Sequence, residues 1–427
     1  MLCHLFKSNF TQQQKFKFYE MLTGFPLQSD CFQELSLDVE KRLSQNDHDL
    51  HDQLLYVNGT ISVTTDDKIL EQRQSFSSYY HNVHNTTTNN LHDIRKLLGC
   101  VPLKLFHLTD HARQHMSGGG ISFSHQGMLH MGGGDDPSKM VVIDTSSKKC
   151  DVIATIATLP KLSNSSCAQV HDHVFMLGGY NHNTRNLTNI LYKYDIPTRT
   201  CIVVEQQDEP PPQDGHLMWC QGDDVWLLGG LMDNRDNGHQ DDTVYKFSTT
   251  TTPAKWNKVE TSGKFPRARQ YAAYCVQSNM MYLYGGYDEN GVYSNDLHSF
   301  NMETCKWRKL EIDTTANVAL PRVRKAAMVC HNNKLLILGG YNSDEEIFSS
   351  TLYKYDLTSE VLMEVLTLPD LQTGGQSRGF QLRGHHMHLV DGGEGARLFI
   401  VGGGGEWGTY VDWSVPHYYV ELDISCV

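Results

Sequence analysis

Met281-Tyr-Leu-Tyr-Gly-Gly-Tyr287 runs four apolar or aromatic residues straight into two glycines, with a polar loop behind them. After the loop come Asp296-Leu-His-Ser-Phe300, a polar turn and Trp307. The same order returns at Leu335-Leu-Ile-Leu-Gly-Gly-Tyr341 with Leu352-Tyr-Lys-Tyr-Asp356, and at Val174-Phe-Met-Leu-Gly-Gly-Tyr180 with Leu191-Tyr-Lys-Tyr-Asp195. It returns again at Val225-Trp-Leu-Leu-Gly-Gly230 with Val244-Tyr-Lys-Phe247 and Trp256. Two looser copies bracket these four, Met128-Leu-His-Met-Gly-Gly-Gly134 and Leu398-Phe-Ile-Val-Gly-Gly-Gly404.

A half-exposed strand alternates apolar and polar residues, so an unbroken apolar run describes a strand covered on both faces. Glycines at its end permit backbone angles and close approaches that a side chain would forbid. The glycine pairs recur about every 45 to 65 residues, a period that suits a four-stranded unit and excludes the shorter solenoid repeats. Each unit then reads as four strands. The first follows an arginine-bearing turn, as in Pro266-Arg-Ala-Arg-Gln-Tyr-Ala-Ala-Tyr274 or Pro321-Arg-Val-Arg-Lys-Ala-Ala-Met-Val329. The second is the run into Gly-Gly, the third is the Leu-Tyr-Lys-Tyr-Asp type, and the fourth is Trp256–Val259 or Trp307–Leu310.

The pattern resembles the Kelch-repeat family, whose β-propellers have four-stranded blades, and the resemblance covers residues 101–427. It rests on Gly178, Gly179, Gly229, Gly230, Gly285, Gly286, Gly339 and Gly340, on Tyr194, Tyr245 and Tyr355, and on Trp256 and Trp307. The first and last units depart from it with glycine runs, and the fourth-strand Trp stands in two units only. The expected fold is therefore all-β, a six-bladed Kelch-type β-propeller over 101–427 with a small N-terminal α/β extension over 1–100. The last unit ends on a third strand, Tyr418–Ile424, which would leave an open edge. Residues 101–108 are the expected fourth strand that closes it.

In residues 1–100, Gln12–Leu22 and Gln33–Leu43 have helical periodicity, and Leu54–Thr64 with Ile69–Tyr80 read as two strands. Neither an F-box nor a BTB pattern is legible there.

The 427 residues carry a formal net charge of −13 without a basic block. That argues against nucleic acid and against an anionic membrane surface as partners. The 11 cysteines lack Cys-x-x-Cys spacing, and the first residues do not read as a signal peptide. A cytoplasmic or nuclear location follows as an expectation.

In antiparallel blades the two-to-three loops and the four-to-one turns share one rim. Loops on a rigid scaffold are common binding positions, and Arg, Tyr and Trp are common interface anchors. On this rim the sequence places Arg267, Arg269, Arg322, Arg324 and Arg378 from the turns, and Arg185, Arg235, Tyr293, Trp407 and Tyr410 from the loops. They are read as a docking face for a protein or peptide, with the alternative that the arginines pin the blade turns. Tyr287 and Tyr341 begin two of the loops.

Of 22 histidines, His386 and His388 would share a strand face and are the weak candidates for a metal. The other reading makes them ordinary first-strand residues. No nucleophile elbow, phosphate-binding loop or dinucleotide fingerprint is present. The expectation is a non-catalytic interaction module with no cofactor, a scaffold or a substrate receptor of a ubiquitin ligase as the resemblance implies. The competing reading is an enzyme with a metal or small-molecule site in the propeller channel.

Overall fold

The computed structural model describes residues 103–107, 121–132, 137–156, 159–232, 242–312, 318–345, 347–368, 371–373, 376–378, 382–392, 395–402 and 418–424. The helices and strands expected within residues 1–100 lie outside them. No helix occurs among the described residues. The chain divides into two compact units. The larger comprises Lys104–Glu364 and Gln381–Leu422. The other contains the hairpin of Leu371–Thr373 with Gln376–Arg378.

Among the described residues, six sheets of four principal strands follow one another as repeats. The fourth, for example, pairs Ala273–Gln277, Met280–Tyr284, Leu297–Asn301 and Lys306–Leu310 in sequence order. The sixth runs His385–Gly392, Gly395–Gly402, Tyr418–Asp423, and its remaining place is taken by Leu103–His107, which precedes the first repeat in the chain.

In the second to fifth repeats the second strand carries four consecutive apolar or aromatic residues, and neighbouring ones serve different cores. Val174 and Met176 enter the cluster shared with the first repeat, while Phe175 and Leu177 enter the one shared with the third. Met281 and Leu283 likewise face the third repeat, and Tyr282 and Tyr284 the fifth. A further cluster joins Leu129, Met131 and Val141 of the first repeat to Phe399, Val401 and Tyr419 of the sixth. Trp256 lies against Phe247 at 4.5 Å, and Trp307 against Phe300 at 4.6 Å. Each tryptophan fills a core between two sheets, as a large apolar side chain can.

The diglycines join one sheet to the next. The second glycine donates its N–H to a carbonyl just ahead of the following repeat: Gly179 to Gln213 at 2.7 Å, Gly230 to Arg269 at 3.4 Å, Gly286 to Val323 at 2.9 Å and Gly340 to Leu382 at 2.6 Å. The first glycine lies over that same oxygen. A Cβ there would stand 2.6–2.7 Å from it at all four positions.

One strand reading needs correction. The first strands begin later than the arginine-bearing segments suggested, at Ala273 rather than Pro266, because residues 266–272 form the connection into the strand. The fourth strand expected from Trp256 is present as Asn257–Val259 on the third strand, and just before it Ala254–Lys255 pairs in parallel with Gln206–Gln207 of the preceding connection.

Candidate partner-binding face

Two residues beyond each of the diglycine-bound carbonyls, the backbone turns left-handed, at Gly215, Tyr271, Lys325 and Gly384, and at Asn164 in the second repeat. These five residues form a belt. Gly215 donates its N–H to Asn164 O at 3.0 Å, Tyr271 to Gly215 O at 2.8 Å, Lys325 to Tyr271 O at 2.8 Å and Gly384 to Lys325 O at 2.9 Å. Successive repeats are thus tied in order at their entry to the first strands. Lys325 Nζ also reaches Asn164 Oδ1 at 3.4 Å, three repeats away along the chain, and lies 4.4 Å from the Tyr271 ring.

The residue ahead of each belt position differs between repeats: Ser163, Asp214, Gln270, Arg324 and Arg383. Asp214 is buried, which pushes its carboxyl up, against the opposing pull of Asn164, Lys325 and the Tyr271 hydroxyl. Arg324 sits among tyrosines contributed by both kinds of loop. Its guanidinium carbon lies 4.8 Å from the Tyr341 ring, 5.0 Å from Tyr287, 5.6 Å from Tyr271 and 5.9 Å from Tyr293. One Nη of Arg324 also donates to the Tyr341 hydroxyl. Arg383 lies 5.0 Å from the other residues' shared neighbour, the Tyr341 ring, and 5.8 Å from Phe348, which itself stacks on Tyr341 at 5.9 Å. Cation–π contacts of this kind favour a guanidinium electrostatically through the ring quadrupole.

The sequence-chosen residues divide. Arg267, Arg322 and Arg185 are exposed, Arg267 with Asp288 at 3.6 Å. Arg324 is half-buried within its tyrosines. Arg269 is a correction. It is 6% exposed, and one Nη bonds both Gly285 O at 2.9 Å and Asp296 Oδ1 at 2.6 Å. Burial of Asp296 favours its neutral form, but His298, Arg269 and Ser294 outweigh that and hold its carboxyl far below the usual range. This arginine pins the diglycine turn and is spent on that task. Tyr293 is a second correction, 4% exposed with its hydroxyl on Ser343 Oγ at 2.7 Å. Arg235, Trp407 and Tyr410 lie outside the described residues, as does the side chain of Arg378. Arg383 was not singled out from the sequence. Its equivalence to Arg324, each one residue ahead of the belt, was the available signal.

His386 and His388 do share a strand face, with rings 6.5 Å apart, and His388 Nε2 is 2.6 Å from Ser122 Oγ of the first repeat. Among the described residues no three His, Cys, Asp or Glu side chains come together to hold a metal ion.

His216 and His385 occupy matching places, each 4% exposed and wedged against the diglycine of the preceding repeat. Burial lowers the His216 imidazole to about 4 and, with help from His386, that of His385 to about 3. Both pKa values lie below the unfolded value of 6.5. The unfolded chain therefore binds more protons, and the stabilisation is complete above pH 6.5 and lost as pH falls toward 4 and 3. Moving from pH 7.5 to pH 5 should cost about 2 kcal/mol for each histidine. Urea unfolding at the two pH values measures the loss. His216→Gln with His385→Gln should flatten the profile, and an unchanged profile would contradict the assignment.

Residues 121–322 match a family profile described as the KLHDC2/KLHL20/DRC7 Kelch-repeats domain, and residues 322–361 one described as the Kelch motif. Kelch domain-containing protein 3 of Rattus norvegicus is 27% identical over 201 residues, 45% of this chain and 50% of the relative. The Homo sapiens protein of that name is 26% identical over 204 residues, 45% and 51% of the two chains. The chain spans about half the length of the curated relatives it matches. Among solved structures, that of YjhT aligns with a TM-score of 0.53 at 15% identity, over 68% of this chain and 92% of that one, a likeness of fold.

Proposed function

The chain belongs to the Kelch-repeat family over residues 121–361, and from that premise we propose that it is a non-catalytic protein-interaction module. Its partner is a protein or peptide, held on the rim where the two-to-three loops meet the four-to-one turns of a six-bladed ring. The observation that carries this reading is Arg383. It is a half-buried cation beside the Tyr341 and Phe348 rings, Phe348 itself being exposed. Arginine beside exposed aromatic surface is a common anchor at protein interfaces. Exposed Arg322 and the tyrosine-held Arg324 extend the same sector.

The test is affinity capture with full-length protein, comparing wild type with Arg322→Ala/Arg383→Ala. Partners retained by wild type should be lost by the variant at an unchanged melting temperature. An identical partner profile from a folded variant would overturn the rim assignment. A substrate-receptor role in a ubiquitin ligase further predicts a cullin among the wild-type partners, and its absence would remove that branch.

A further inference from the structure

We propose that Cys275 and Cys330 form a reversible redox pair, oxidised by hydrogen peroxide to a disulfide that joins the first strands of the fourth and fifth repeats.

The pairing follows from a one-residue shift, because successive side chains of a strand point to opposite sides. Cys220 and Cys330 each stand one place before the end of their first strand, at Gln221 and His331. Cys275 stands two places before the end of its own, at Gln277. Cys220 faces back to the second repeat, its Sγ 2.9 Å from Gln169 O. Cys330 likewise faces back, its Sγ 3.2 Å from Gln277 Oε1 of the fourth repeat. The shift turns Cys275 forward. Ala273 and Cys275 enter the core shared with the fifth repeat, where Met328 and Cys330 also pack, while Tyr274 and Val276 pack toward the third. Two thiols therefore meet in one interface. Cys330 donates to Gln277 Oε1, and its sulfur shares a hydrogen bond with the Cys275 thiol. The Lys325 N–H on Tyr271 O, at 2.8 Å, ties the same two repeats at the entry to these strands.

The two thiols differ in access. Cys275 is 8% exposed, and burial pushes its thiol well up. Cys330 is half-buried. Oxidation favours the more accessible sulfur, so Cys330 is the first target. Its sulfur attacks one peroxide oxygen and the O–O bond breaks. Cys330 becomes a sulfenic acid, and its proton leaves with the departing hydroxide as water. The Cys275 sulfur then attacks the Cys330 sulfur, the S–O bond breaks, and the hydroxyl leaves as a second water with the Cys275 proton. Two thiols have given two electrons to one peroxide. A small dithiol reverses the change by exchange. The link closes a long loop between repeats, which favours the folded state.

The test exposes reduced, folded full-length protein to hydrogen peroxide, then blocks remaining thiols with N-ethylmaleimide in urea and digests the chain. Mass spectrometry of the wild type should find Cys275 linked to Cys330, located by fragmentation, and dithiothreitol should abolish the link. Cys275→Ser should instead hold Cys330 as a sulfenic acid that dimedone captures, and Cys330→Ser should leave Cys275 reduced. The oxidised wild type should melt above the reduced form, with no such gap in either variant. The wild-type link is read on the unaltered chain, so it decides even where a serine variant fails to fold. Recovery of both thiols as maleimide adducts, under peroxide that oxidises glutathione in the same tube, would overturn the proposal. So would a link from Cys330 to another cysteine, further oxidation of Cys330 beside a reduced Cys275, or an oxidised form melting no higher than the reduced one.

Discussion

Gly339→Ala should lower stability by about 3–5 kcal/mol, combining left-handed backbone strain with overpacking. The backbone φ at Gly339 is +76°, a region that disfavours any Cβ. The added methyl would stand 2.7 Å from the Leu382 carbonyl and would collide with the His385 ring. Neither can withdraw cheaply. The carbonyl accepts the Gly340 N–H at 2.6 Å, and the imidazole is buried between two repeats. Gly222→Ala provides the control. Its φ is +58°, yet nothing lies within 4 Å of the new Cβ, so it should cost only the conformational part, about 1–2 kcal/mol. Urea unfolding of the two variants separates backbone conformation from close approach. Equal losses would show that the diglycine does not serve to admit the next repeat.

Lys148→Met should be of similar size, about 3–5 kcal/mol, because it strands a buried carboxylate. Lys148 lies in the last turn of the first repeat, and its Nζ is 2.6 Å from Glu421 Oε2 in the sixth. Glu421 is 3% exposed, and its other cationic neighbour, Arg397, is farther off at 3.7 Å. The ammonium also bonds Thr145 O at 2.5 Å and lies 4.7 Å from the Phe399 ring, while Tyr419 donates to Lys148 O at 3.1 Å. The pair thus joins the first sheet to the last, beside the apolar cluster those sheets share. Removing both partners is the informative companion. Lys148→Met/Glu421→Leu should recover most of the loss, since replacing a whole buried pair with apolar groups is often close to neutral. A double variant as unstable as the single one would mean that the lysine acts through packing instead of charge.

Much of the scaffold was legible because its signals are local. Four apolar residues before Gly-Gly state that a strand is buried on both faces, and Val174–Leu177 and Met281–Tyr284 divide between two cores as that reading requires. The arginines were not legible in this way. Arg269 and Arg324 stand at neighbouring places in turns of nearly the same wording, yet one is consumed by Gly285 O and Asp296 and the other is set among four tyrosines. The acceptors that separate them lie 16 and 27 residues away in the chain, and no residue type announces them. Arg383 was hidden for the same reason, since its worth depends on Tyr341 and Phe348 from another repeat.

Periodicity, read alone, was sufficient for the repeated four-stranded sheets of the described residues, because side-chain alternation and glycine sterics act within a few residues. It also located the diglycines without explaining why there are two. That reason appears only when sheets are set side by side: one glycine admits the next repeat's carbonyl and the other donates to it. The same holds for the rim. Whether an arginine fastens a diglycine turn or is set among aromatic rings depends on which groups folding brings against it, and those contacts are made between segments far apart in the chain.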